Sequence, residues 1–181
     1  MQKLLIVEDE KSIFFLLNNC ILYEELGLEL VGYAENGQTA YDMIMEKHPD
    51  IVITDITMPV FDGLELIEKV QERYTDINFI IVSGYAQFEF AKKAVKLGVK
   101  DYLLKPINSN ELNRSLAKLT QKLSEDGNEE FLLQNTDNHR EKIRTSFIMS
   151  VLYRDIDFNR ITINEINRNY CKEYEYYIRR F

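Results

Sequence analysis

Glu8, Asp9 and Glu10 follow the apolar run Leu4–Val7. Asp55 follows Ile51–Thr54, Ser83 follows Phe79–Val82, and Lys105 follows Asp101–Leu104. If those runs are strands of one open α/β sheet, their carboxyl ends are where a ligand sits, and the acids, the hydroxyl and the ammonium converge there. Clustered carboxylates repel, and each holds its proton more tightly unless a cation neutralises the group. Hard oxygen ligands, few and partly hydrated, suit Mg²⁺. A carboxylate beside Mg²⁺ can attack phosphorus, because the metal neutralises charge on the transferring oxygens. The acyl phosphate so formed carries about −1.5 to −2 charge. Lys105 can pair with one of its oxygens, and Ser83 can hydrogen-bond another.

Taken singly, these residues say little. An acidic triplet is commonly a solvated helix start. Ser83-Gly84 is a common turn dipeptide, and a lone Asp often caps a turn. The information lies in their joint placement, each at the end of a strand that must lie on the same side of the sheet.

The elements that would position them are legible. Strands are expected at Leu4–Val7, Leu28–Ala34, Ile51–Thr54, Phe79–Val82 and Asp101–Leu104. Most are continuous Ile/Val/Leu runs, the pattern of strands buried on both faces of a parallel sheet. Amphipathic stretches of roughly 10–14 residues separate them, an ordinary helix length. Ala86–Leu97 shows one apolar face and ends at Gly98, and the helix after Gly37 ends at His48-Pro49. Strict strand–helix alternation gives a doubly wound fold with helices on both faces. The helix Ser109–Leu123 carries Leu112, Leu116, Leu119 and Leu123. That spacing suits either packing on the sheet or a coiled-coil seam.

The segments Leu5-Ile6-Val7-Glu8-Asp9-Glu10, Ile53-Thr54-Asp55-Ile56-Thr57-Met58-Pro59 with Asp62-Gly63, Ile81-Val82-Ser83-Gly84 and Asp101-Tyr102-Leu103-Leu104-Lys105-Pro106 resemble bacterial response-regulator receiver domains. The resemblance covers roughly residues 1–123. It implies a flavodoxin-like five-stranded parallel sheet of order 2-1-3-4-5. It implies a signalling domain that accepts a phosphoryl group on Asp55 from a sensor histidine kinase and catalyses only its own phosphorylation and dephosphorylation. Glu8 and Asp9 become the acidic pair, with Asp9 the direct Mg²⁺ ligand and the main-chain carbonyl of Thr57 completing the protein ligands beside Asp55. Ser83 and Lys105 become the hydroxyl and lysine of the site, and the Lys105–Pro106 peptide is expected to be cis. Tyr102 matches the switch aromatic, expected to move with Ser83 toward the phosphoryl group. The affected face is the fourth helix (Ala86–Leu97), fifth strand and fifth helix (Ser109–Leu123), the expected homodimer surface. Many receivers carry Asp where Glu8 stands, so the extra methylene suggests an outer-sphere role at the metal.

The chain has 181 residues and a net charge of −8, which argues against wrapping nucleic acid by electrostatics alone. No apolar run approaches the ~20 residues of a membrane span, no signal peptide is visible, and a cytoplasmic location is expected. Cys20 and Cys171 lie far apart and have no metal-ligand spacing. After residue 123 the basic residues change from mostly Lys to mostly Arg. A polar linker is read at 124–137, and 138–181 as a helical extension or the start of a linker domain. The stretch Ser83–Ala91 resembles the receiver subgroup that ends in an AraC-type DNA-binding domain, a domain not present in this sequence. Transcription control through that domain is the expected output, and a receiver acting by protein contact alone is the alternative. An aspartyl-phosphate phosphatase would need Asp-x-Asp after the first strand, and a nucleotide-binding protein a Gly-rich phosphate loop. Neither pattern occurs.

Overall fold

A computed structural model describes the backbone of residues 1–84 and 88–125. The linker and extension expected at 124–181 lie almost entirely outside the described residues, as does Cys171. The strands are β1 (Gln2–Val7), β2 (Leu28–Ala34), β3 (Ile51–Thr54), β4 (Asn78–Ser83) and β5 (Asp101–Leu104). All pairings are parallel, and the order is β2-β1-β3-β4-β5. This is the flavodoxin-like sheet that the resemblance implies. β3 is buried along its whole length, as a continuous apolar run requires.

The helices are α1 (Lys11–Cys20), α2 (Tyr23–Leu26), α3 (Gly37–Lys47), α4 (Gly63–Gln71), α5 (Phe88–Lys96) and α6 (Ser109–Glu125). The fourth and fifth helices of the sequence reading are therefore α5 and α6. The single turn α2 breaks the strict alternation. It stops at Gly27, whose φ of 64° is left-handed and suits a residue without Cβ. α3 is capped by the side chain of Asn36, which accepts from the Thr39 amide at 2.9 Å. Gly98, at φ 67°, follows α5 as expected.

Leu4, Ile6, Ile53, Ile80 and Leu103 form one core with Leu17 of α1 and Leu112, Leu116 and Leu119 of α6. Leu123 packs on its margin. The leucines of α6 are thus spent on the sheet, not on a coiled-coil seam. Full burial of one such side chain is worth about 1.5–3 kcal/mol. Strand alternation sends Leu5 and Val7 to the opposite face. There Leu5 and Met43 of α3 close on Gly32, where an added Cβ would lie 3.0 Å from Leu5 Cδ1.

Asn113 of α6 ties this core to the α1–α2 junction. Its Oδ1 accepts from the Leu22 amide at 2.9 Å, and its Nδ2 donates to the carbonyl of Cys20 at 2.7 Å. Leu22 leads into α2 without a side-chain cap of its own. Asn113→Ala leaves both backbone groups without this partner, and a loss of roughly 1–3 kcal/mol is expected. Urea unfolding should show a lower midpoint at unchanged slope.

Candidate functional site

The carboxyl ends of β1, β3, β4 and β5 deliver the expected residues. The Glu8 amide donates to the Ala34 carbonyl at 3.0 Å and so extends the β1–β2 pairing by one residue. The Glu8 side chain is 1% exposed. The Asp55 amide donates to the Val7 carbonyl at 3.0 Å, which places Asp55 beside the end of β1. The Lys105 amide donates to the Ser83 carbonyl at 2.9 Å, and the Lys105–Pro106 bond is cis.

Side chains complete the arrangement. Lys105 Nζ donates to Glu8 Oε1 at 3.0 Å, to Glu8 Oε2 at 2.8 Å and to Asp55 Oδ2 at 2.8 Å. Asp55 Oδ1 accepts from the Ile56 amide at 2.6 Å and the Thr57 amide at 3.4 Å. Glu8, Asp9 and Asp55 each present a carboxylate oxygen within 4.8 Å of the others. Asp9 and Thr57 are exposed, and Asp55 and Ser83 are buried.

Burial pushes the Glu8 carboxyl up to about 6, and the charge of Asp55 adds to that, while the hydrogen bonds and charge of Lys105 pull it down. Burial opposes the charge on Lys105, but Asp55 and Glu8 outweigh it and hold the ammonium above the usual lysine range. Tyr102 is 6% exposed. Burial raises its phenol, a hydrogen bond with Ser83 opposes the rise, and the charge of Asp55 adds to it. The two residues expected to switch are therefore hydrogen-bonded to each other, within the electrostatic reach of Asp55.

The loop after β3 folds back on the acidic residue. Thr54 Oγ1 and the Gly63 amide donate to the carbonyls of Asp55 and Ile56, each at 2.8 Å. A Cβ on Gly63 would stand 2.0 Å from the Asp55 carbonyl oxygen. Glycine is needed here for close approach. Asp62 and Glu65 then start α4 with a capping box. Gly63→Ala must push the Asp55 peptide aside. The expected result is a loss of at least about 2 kcal/mol of stability from overpacking, together with shifted Ile56 and Thr57 amide resonances.

Val60 in the same loop is 75% exposed and has φ 76°, a left-handed conformation that a β-branched residue avoids. Its neighbour Phe61 lies under the ammonium of Lys69, 5.5 Å from the ring centroid, and abuts Gly37. Val60→Asn should raise stability by about 1 kcal/mol, because Asn tolerates this conformation better. Thermal unfolding at equal pH and salt checks it.

Sequence reasoning assigned Glu8 to the metal and missed its clasp on Lys105. The available signal was the Glu itself, one methylene longer than the Asp of many receivers.

The response regulator receiver domain family matches residues 4–117. The chain belongs to that family. It is 46% identical over 123 residues to the uncharacterised transcriptional regulatory protein YesN of Bacillus subtilis, covering 68% of this chain and 33% of that protein. It is 31% identical over 174 residues to the transcriptional regulatory protein HptR of Staphylococcus aureus, covering 94% of this chain and 65% of that one. The chain thus spans about one third of YesN and just under two thirds of HptR. Among solved structures, it is similar to the REC domain of AraT, a response regulator from Geobacillus stearothermophilus. That match has a TM-score of 0.66 and 33% identity, and covers 70% of this chain and 98% of the other. A DNA-binding response regulator of the LuxR family from Staphylococcus aureus matches with a TM-score of 0.60 and 30% identity, over 66% of this chain and 99% of its own. This receiver is part of the two-component signalling machinery. No helix among its described residues is long and apolar enough to cross a membrane.

Proposed function

We propose that this receiver accepts a phosphoryl group on Asp55 from the phosphohistidine of a sensor histidine kinase, and that the charge gained there resets a protein interface. The observation that carries this reading is Asp55, buried beside Lys105 and grouped with Glu8 and Asp9 at the carboxyl edge of the sheet. An Asp55 oxygen forms the new O–P bond as the donor's P–N bond breaks. The imidazole leaves with the electron pair and takes up a proton. Asp55 is prepared for this by its backbone hydrogen bonds, which hold the carboxylate in one orientation.

Three carboxylates against one ammonium leave a local charge of −2 when all are ionised (−3 + 1), and all the side-chain donors are hard oxygens. The donor set therefore fits a small divalent cation. Glu8, Asp9, Asp55 and the Thr57 carbonyl are the residues that would hold Mg²⁺. When bound, Mg²⁺ neutralises charge on the transferring oxygens.

Lys105 then pairs with the phosphoryl oxygens, Ser83 hydrogen-bonds another, and Tyr102 follows Ser83. The change is read on α5, β5 and α6, the proposed dimer face. YesN and HptR are transcriptional regulatory proteins by name, and the similarity to HptR runs through nearly the whole chain. That supports a receiver at 1–123, a linker at 124–137 and, at 138–181, the start of the region that follows the receiver in such regulators. The proposed output is transcription control in the cytoplasm, through a DNA-binding domain outside this sequence. The test is incubation with Mg²⁺ and a small phosphodonor. The expected product is a label stable in acid and released by hydroxylamine, and a chain that stays unlabelled refutes the reading.

A further inference from the structure

Thr54 ends β3 and is fully buried. It pairs in register with Val7 of β1 and Ile81 of β4. A β-branched side chain in such a place has little freedom about χ1. A buried hydroxyl needs a hydrogen-bond partner. Thr54 Oγ1 finds its partner in the main chain, donating to the carbonyl of Asp55 at 2.8 Å.

The other end of the same peptide unit is also held. The Ile56 amide donates to Asp55 Oδ1 at 2.6 Å. A peptide unit is planar, so its C=O and N–H turn together. A hydroxyl that holds the carbonyl therefore also sets where the amide points. Gly63 narrows the choice further. A Cβ built on it would lie 2.0 Å from the Asp55 carbonyl oxygen and 3.1 Å from Thr54 Oγ1, so the start of α4 closes over both partners of this bond.

We propose that Thr54 is a positioning residue for Asp55: its hydroxyl sets the Asp55–Ile56 peptide, and through that peptide the aim of the carboxylate. The proposal rests on Asp55 as the phosphoryl acceptor, but the set of the peptide is measurable without any transfer. Valine at 54 matches threonine in shape and branching and lacks only the hydroxyl. In that variant the carbonyl loses its donor, the peptide turns, and the Ile56 amide draws away from Oδ1. A carboxylate held less firmly spends less time facing the phosphorus, and transfer slows.

Full-length wild type, Thr54→Val and Thr54→Ser are compared by two measurements. The first is the Ile56 amide proton resonance, taken with neither Mg²⁺ nor phosphodonor present. Thr54→Val should move it upfield, as a lengthened hydrogen bond does, and Thr54→Ser should leave it near its wild-type position. The second is the rate of phosphodonor labelling of the folded fraction at saturating Mg²⁺. Thr54→Val should lower it by about tenfold, and Thr54→Ser should restore it to within about twofold of wild type. An unmoved Ile56 resonance in Thr54→Val overturns the proposal. So does a lowered unfolding midpoint with a wild-type labelling rate, which would limit the hydroxyl to stability. Thr54→Ser as slow as Thr54→Val overturns it too, since packing by the methyl group would then be the cause. If Thr54→Val does not fold, Thr54→Ala takes its place. A wild type that takes no label defeats the acceptor assignment, and the Ile56 resonance then decides on its own whether Thr54 sets the peptide.

Discussion

Asp55→Asn should abolish phosphodonor labelling while leaving the fold intact. The substitution is close to isosteric. The amide oxygen can still accept from Ile56 and Thr57, so the loop keeps its shape. It removes the negative charge on which the proposed nucleophilic role of Asp55 depends. Lys105 is not orphaned, because Glu8 still holds it through two oxygens. Repulsion among the acids also falls, so the unfolding midpoint should stay level or rise. Residual labelling equal to wild type would place the acceptor elsewhere. A sharply lowered midpoint would mean that the charge of Asp55 is needed for folding.

Lys105→Ala should have the second large effect, with two parts. Labelling should persist, because Asp55 and the acidic group remain, but the proposed shift in dimerisation on labelling should be lost. Sedimentation of labelled and unlabelled protein measures it, and an unchanged shift would sink the proposed coupling. The second part is stability. Removing one partner of a buried ion pair costs about 3–5 kcal/mol when the other charge is left behind. Here that charge is Glu8, whose carboxyl already sits at about 6 with Lys105 present, against an ordinary 4.5. Without the ammonium it must rise further. A carboxyl raised in the folded state makes the native protein bind more protons than the unfolded one, so stability falls as pH increases across that interval. The variant should therefore be closest to wild type near pH 4.5 and fall away above pH 6. Paired urea titrations across that range test the sign.

The sheet and the placement of the site were legible because both follow from short-range pattern. Three of the five strands, β2, β3 and β5, have the expected boundaries, because Gly27, Pro49, Gly98 and Pro106 punctuate the chain beside them. β1 begins two residues earlier than read, and β4 gains a residue at each end. Asn78 and Ser83 are polar and give no apolar signal, yet they pair in register with Ile51 and Leu104. α2 was missed because a single turn has no period to detect. The pairing of Glu8 with Lys105 joins residues 97 apart in sequence. Its existence depends on side-chain reach across the sheet edge, which no spacing rule encodes. Gly63 was visible as part of a motif, but its contact with the Asp55 carbonyl could only be seen in three dimensions.

That contact has a consequence for how variants of this protein can be built. The Gly63 amide closes a ring onto Ile56, and the missing side chain of Gly63 sets the clearance over Asp55. The segment from Asp55 to Gly63 is therefore a ruler of fixed length. A residue inserted or deleted within it changes the reach of the ring, and with it the aim of the carboxylate. Epitope tags, reporter insertions and circular permutations belong elsewhere on the chain, whereas the identity of the exposed residue at the crest, Val60, is open to exchange.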